Sequence, residues 1–129
     1  MGDRGQIKLV GTDGLDGGDI YLYTHWGASG MEYDLAIALD RGRGRWNDPC
    51  YLNRIIFSEM IQKEVLEETG YGICTQPHGD VWRMIEVNHE KQTVTISVKQ
   101  YDDNYIAYQW LTEEYTYETF IGEYATIAK

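Results

Sequence analysis

The sequence predicts an α+β domain: an antiparallel sheet of about four to five strands with two helices packed on one face. Three observations carry that expectation. Runs rich in β-formers lie at both ends of the chain, at Gln6–Val10, Ile20–Trp26 and Thr93–Tyr101. Two intervening segments repeat apolar side chains at three and four. The order of strands, then helices, then strands fits a sheet covered on one side better than alternating βαβ units. At 129 residues the chain is expected to be a single domain with a real core.

Gln6–Val10 and Ile20–Trp26 flank a stretch from Gly11 to Asp19 dense in Gly and Asp, which breaks regular structure and reads as a loop between two strands. Ser29-Gly30-Met31-Glu32 has the spacing of a capping box, and Met31, Leu35, Ala38 and Leu39 then share one face. A helix over about residues 30–41 follows, with Gly42 as its stop. Asp48-Pro49 opens a second helix, because Asp can cap and Pro loses no amide bond at the first helical position. Its wide stripe of Leu52, Ile55, Ile56, Phe57, Met60 and Ile61 predicts burial against more than one neighbour.

Asp80–Asn88 and Thr93–Tyr101 form the clearest hairpin. Val94, Ile96 and Val98 alternate with polar residues, as in a strand with one wet face. Val81, Ile85 and Val87 oppose Trp82 and Met84, so the first arm is expected to be buried on both faces and central. Tyr105–Leu111 reads as a strand. Thr112–Tyr124 admits strand or helix, and a strand followed by a helix is the expectation.

The charge pattern is the most informative functional signal. From Gln100 to Ala128 there is no Lys, Arg or His, while six acids interleave with eight aromatics. The net charge of −10 opposes nonspecific binding to nucleic acid or anionic membrane. Acids with Tyr and Trp suit a basic protein surface, and an acidic face can imitate a phosphate backbone. The expected partner-binding residues are Asp102, Asp103, Trp110, Glu113, Glu114, Tyr115, Tyr117 and Glu118. The one basic cluster, Arg41, Arg43 and Arg45 with Trp46, gives an alternative ligand site together with His25 and Trp26. The arginines could equally pair with the acidic face of a second copy, making a homodimer.

No metal or cofactor is expected. Asp13, Asp16 and Asp19 follow no calcium-loop spacing, and Cys50, Cys74 and His78 with His25 or His89 lack paired zinc-ligand spacing. The cysteines read as reduced thiols. His25 could serve as a general base oriented by Glu67 or Glu68, but no nucleophile motif accompanies it, so the reading leans away from an enzyme. No signal or membrane-spanning run is visible, and a cytoplasmic location is expected.

Tyr23-Thr24-His25-Trp26, Asn47-Asp48-Pro49-Cys50-Tyr51-Leu52 and Glu68-Thr69-Gly70-Tyr71-Gly72-Ile73 occur in that order over about residues 20–98. The combination resembles a group of small phage-encoded proteins with a His-Trp-Asp-Gly-type strand end, a helix opened by Asn/Asp-Asp-Pro, and a Glu-Thr-Gly-aromatic-Gly-Ile turn. Gly27 stands where that pattern has Asp. The resemblance implies a phage or mobile-element origin, where small acidic proteins are often anti-defence factors, anti-CRISPR proteins among them. The expectation is an inhibitor of a bacterial nucleic-acid-handling protein. Alternatives are a sponge for a nucleotide second messenger, built on the arginines and the Gly70–Gly72 turn, and a small hydrolase or transferase using His25.

Overall fold

A computed structural model of the chain describes residues 2–12 and 18–125. The elements run β1 (Gly5–Val10), β2 (Ile20–Thr24), α1 (Met31–Arg41), a 3-10 turn (Arg43–Arg45), α2 (Pro49–Ile61), β3 (Tyr71–Cys74), β4 (Arg83–Asn88), β5 (Thr93–Tyr101), β6 (Tyr108–Thr116) and α3 (Tyr117–Tyr124). The strands form one six-stranded sheet in the order β3-β2-β1-β4-β5-β6. The class is α+β, as expected, with more strands and a third helix. The sheet is mixed rather than wholly antiparallel, because β1 pairs β4 in parallel. The chain leaves β2, builds both long helices and the edge strand β3, and only then returns to the far side of β1. The short strand Tyr71–Cys74 is an addition to the expected elements; its Gly72 and the preceding Gly70 give it the look of a turn in the sequence.

All three helices cover one face. Cross-strand rows explain why. Leu22, Ile7, Ile85 and Ile96 stand side by side on successive strands, as do Leu9, Val87 and Val94. These residues are buried with Met31, Leu35 and Leu39 of α1, Leu52 and Ile56 of α2, and Tyr117 and Phe120 of α3. Each such aliphatic side chain withdrawn from water contributes about 1.5–3 kcal/mol. β4 lies between β1 and β5 with no free edge, as its composition predicts.

On the opposite face, residues 75–82 run from the β3 edge back to β4. The His78 amide donates to Gln6 Oε1 at 2.9 Å, and its ring stacks on Tyr23 with centroids 4.0 Å apart. Asp3 pins the N-terminal segment: it accepts from the Ser29 amide at 2.7 Å and from Trp82 Nε1 at 2.8 Å. Partial burial works to raise the Asp3 pKa, but those bonds and the Arg83 charge hold it below the usual value.

The expected capping box at Ser29–Glu32 does not form. Gly30 is the N-cap of α1, with no side-chain cap bond. Glu32 is drawn inward to Arg83 and the Ser29 amide to Asp3, since a buried guanidinium leaves its carboxylate partner no choice of direction. Asp48 caps α2 only through its backbone: the Leu52 amide donates to its carbonyl, while its carboxylate faces Arg45 at 3.6 Å. A capping box does form at α3, where Thr116 Oγ1 and Thr119 Oγ1 each accept the other residue's amide. Asp13 and Asp16 lie outside the described residues; Asp19 pairs with Lys8 at 3.6 Å.

Candidate binding surface

The acidic, aromatic segment forms a projecting arm and its return to the core. β5 and β6 pair in unbroken register from Thr93–Thr116 to Tyr101–Tyr108. β4 ends its cover at the base of this hairpin: Arg83 is opposite Val98, and the Lys99 amide donates to the Trp82 carbonyl. Beyond Lys99 the two strands pair only with each other among the described residues. The β6 edge is exposed along nearly its whole length.

The tip is held by Asp102. Its amide donates to the Ala107 carbonyl at 2.9 Å, and its carboxylate accepts from the Asn104 and Ile106 amides at 3.1 and 3.0 Å. Tyr105 sits there with φ +57°, in the left-handed region that non-glycine residues seldom occupy. The result is a fixed turn that displays Tyr105 and Ile106 at 79% and 82% exposure.

The arm has two unlike faces. On the side away from the helices, Tyr101, Tyr105, Tyr108 and Trp110 form a chain of ring contacts with centroids 5.5–6.1 Å apart. Lys99 Nζ lies over the Tyr108 and Trp110 rings at 4.5 and 5.5 Å, a cation–π arrangement that stiffens this strip. On the helix side, Ile96, Val98 and Leu111 wall a cleft of about 290 Å³ closed by Arg83, Glu113, Tyr115 and Tyr124. The Tyr115 hydroxyl donates to Glu113 and lies 3.2 Å from the Tyr124 hydroxyl. The carboxylate, then the second hydroxyl, hold Tyr115 protonated well above the usual range.

The expected partner-binding residues therefore separate. Asp102, Asp103, Trp110, Glu113 and Glu114 lie exposed on the arm. Tyr115 is half-buried against Phe120 and Tyr124. Tyr117 is a correction: it is 1% exposed, the first residue of α3, packed edge-on against Trp46 and unavailable as an anchor. The chain turns from strand to helix at Thr116, so the alternation of Tyr115 and Tyr117 does not continue as a strand face. Burial pushes the Tyr117 hydroxyl pKa upward. Glu118 is exposed on α3 and already engaged. It receives the Arg43 guanidinium, so its charge is met within the chain.

That pair also decides the basic cluster. Arg43 bonds Asp40 and Glu118, and these carboxylates raise its already high pKa. Arg41 pairs with Glu59 at 2.9 Å, and Arg45 faces Asp48 and lies over the Tyr51 ring. Trp46 donates to the Leu39 carbonyl and is half-buried. Arg41 thus ties α1 to α2, and Arg43 ties the turn after α1 to α3. His25 and Trp26 lie apart from them, in a cleft with Tyr23 and the Thr69–Gly72 turn. The His25 amide donates to the Gly70 carbonyl, which stands at φ +102°. His25 Nδ1 is 3.4 Å from the Tyr23 hydroxyl, and neither Glu67 nor Glu68 bonds it. The alternative ligand site is thus two separate places.

Cys74 Sγ is 3.8 Å from His78 Nδ1, and Cys50 is exposed on α2. Among the described residues no group of three or more metal-ligating side chains converges, and no helix is long and apolar enough to cross a membrane.

Sequence reasoning missed the ion pair of Arg83 and Glu32 at the base of the arm. Arg83 Nη1 and Nη2 bond the two Glu32 oxygens at 2.7 Å each, and Nη1 also reaches the Ala28 carbonyl at 2.9 Å. The only sequence sign was a charged residue opening an otherwise buried strand. Comparison with family models, with curated proteins and with solved structures gives no match for this chain.

Proposed function

We propose that this protein is a noncatalytic inhibitor that docks its β5–β6 arm on a basic surface of another protein. The observation that carries the reading is the arm itself: a hairpin beyond the sheet, with an exposed aromatic strip and acids that pair with no Lys or Arg among the described residues. Tyr and Trp give large contact area with few rotamers to immobilise, and the carboxylates select Arg and Lys. The motifs at Tyr23–Trp26, Asn47–Leu52 and Glu68–Ile73 resemble those of small phage-encoded proteins, and that resemblance is why a bacterial nucleic-acid-handling protein is the partner class proposed. The second-messenger sponge has less support, since each arginine it would use already has a carboxylate partner.

Asp103 and Glu114 are the acids to change. Among the described residues neither carboxylate makes a hydrogen bond or ion pair, so reversal disturbs no internal contact. Immobilised wild-type protein is expected to retain basic, nucleic-acid-handling proteins from a bacterial lysate and to release them as salt rises, because surface charge pairs are screened. The Asp103→Lys/Glu114→Lys variant is expected to lose them. An unchanged set of retained proteins on that variant would exclude the arm as the docking surface.

A further inference from the structure

The sheet has two edges, and they are built differently. β3 is four residues long and contains Gly72, a short edge of the kind that resists pairing. β6 is nine residues long, with no Pro, no Lys and no bulge along its register with β5. Such an edge is a template for another strand.

Its hydrogen-bonding phase follows from the backbone contacts. The Lys99 amide points to Trp82, away from β6, whereas the Gln92 carbonyl accepts from the Tyr117 amide and the Asp102 amide donates to Ala107. Even-numbered residues of β5 therefore face β6. Their partners Gln109, Leu111, Glu113 and Tyr115 point inward, and Tyr108, Trp110, Thr112 and Glu114 present N–H and C=O outward. The edge stops at Thr116, whose amide is taken by the α3 capping box.

We infer that this edge receives an extended, cationic segment of the partner protein as a seventh strand, bonded through the backbone of Trp110, Thr112 and Glu114. The inference rests on the basic-partner reading above and adds its mode. Charge chooses the occupant. Glu113 and Glu114 stand on opposite faces of β6, so Lys or Arg is favoured on both sides of the incoming strand. A second copy of this chain would bring the same acids together, at a net charge of −10 on each copy.

The probe is a short capped peptide alternating Lys or Arg with Val, with amide exchange followed residue by residue by NMR. In the protein alone, the amides of Trp110, Thr112 and Glu114 exchange fast and those of Leu111, Glu113 and Tyr115 slowly. Peptide at about ten times its Kd slows the first set by about tenfold, because only the unbound fraction exchanges. Methylating alternate peptide nitrogens abolishes binding in one phase and preserves it in the other, a test that leaves the protein unaltered. Thr112→Pro, which removes an outward N–H and no β5–β6 bond, weakens binding by about tenfold.

Salt-sensitive binding with unchanged exchange at those amides, and with both methylated peptides still bound, would overturn strand addition while leaving the basic-partner reading intact. Absence of peptide binding would also overturn it, the lysate comparison deciding the wider reading separately. Protection at Trp110 and Thr112 that grows with protein concentration alone would assign the edge to a second copy and overturn the proposal.

Discussion

Replacing Arg83 with Met tests whether the guanidinium under the arm is structural or is held for a ligand. The side chains of Arg83 and Glu32 are 11% and 7% exposed, joined by two bonds of 2.7 Å with a third to Ala28. Arg83→Met leaves the Glu32 carboxylate buried and unpaired, which costs about 3–5 kcal/mol. For a chain of 129 residues each kcal/mol lowers Tm by about 3–5 °C, so the variant should melt roughly 10–25 °C lower. Glu32→Leu/Arg83→Met removes both charges and should recover to within about 2 kcal/mol of wild type, because apolar side chains can replace a buried pair at little net cost. Urea unfolding followed by Trp fluorescence on wild type, both single variants and the double variant gives the coupling energy directly. A single variant within about 1 kcal/mol of wild type, or a double variant no better than the single, would refute the structural assignment and reopen Arg83 as an anion site.

Two further perturbations probe the frame and the tip. His89 is 4% exposed, its Nε2 lies 2.5 Å from Asn53 Oδ1, and burial lowers its pKa from 6.5 to about 4. The neutral ring is the folded form, so stability is full above about pH 6.5 and falls as pH drops toward 4. About 2 kcal/mol should be lost between about pH 7 and pH 5. His89→Gln should flatten that loss in paired urea titrations; an equal loss in both proteins would place the acid sensitivity elsewhere. Tyr105→Gly relieves a left-handed non-glycine residue whose ring is exposed, so stability should hold or rise by up to about 1 kcal/mol while partner affinity falls. A drop of more than about 1 kcal/mol would mean that the ring contact with Tyr101 outweighs the backbone strain.

Local chemistry was legible wherever near neighbours decide it. The alternation of Val94, Ile96 and Val98 marked β5 and its buried face, Asp48-Pro49 marked the start of α2, and the apolar faces of 81–87 marked β4 as central. The excess of aromatics over what one face can hide also showed: Tyr101, Tyr105, Tyr108 and Trp110 are exposed, while Tyr117 and Phe120 fill the core. Which aromatics fell on which side was not legible, because the change from strand to helix at Thr116 rotates the chain between Tyr115 and Tyr117.

The α+β class, the two long helices, the central hairpin and a stretch from Gln100 to Ala128 with acids and no bases are all readable along the chain. Those properties are set by residues within a few positions of one another. Long-range contacts set the rest: β1 and β4 run parallel, Glu32 turns from its helix cap to Arg83, Arg43 meets Glu118 across 75 positions, and β6 pairs with no strand on its outer side among the described residues. Each depends on which distant backbone arrives alongside. A charge or a strand edge is free or taken according to that neighbour, and not according to the residues beside it in the chain.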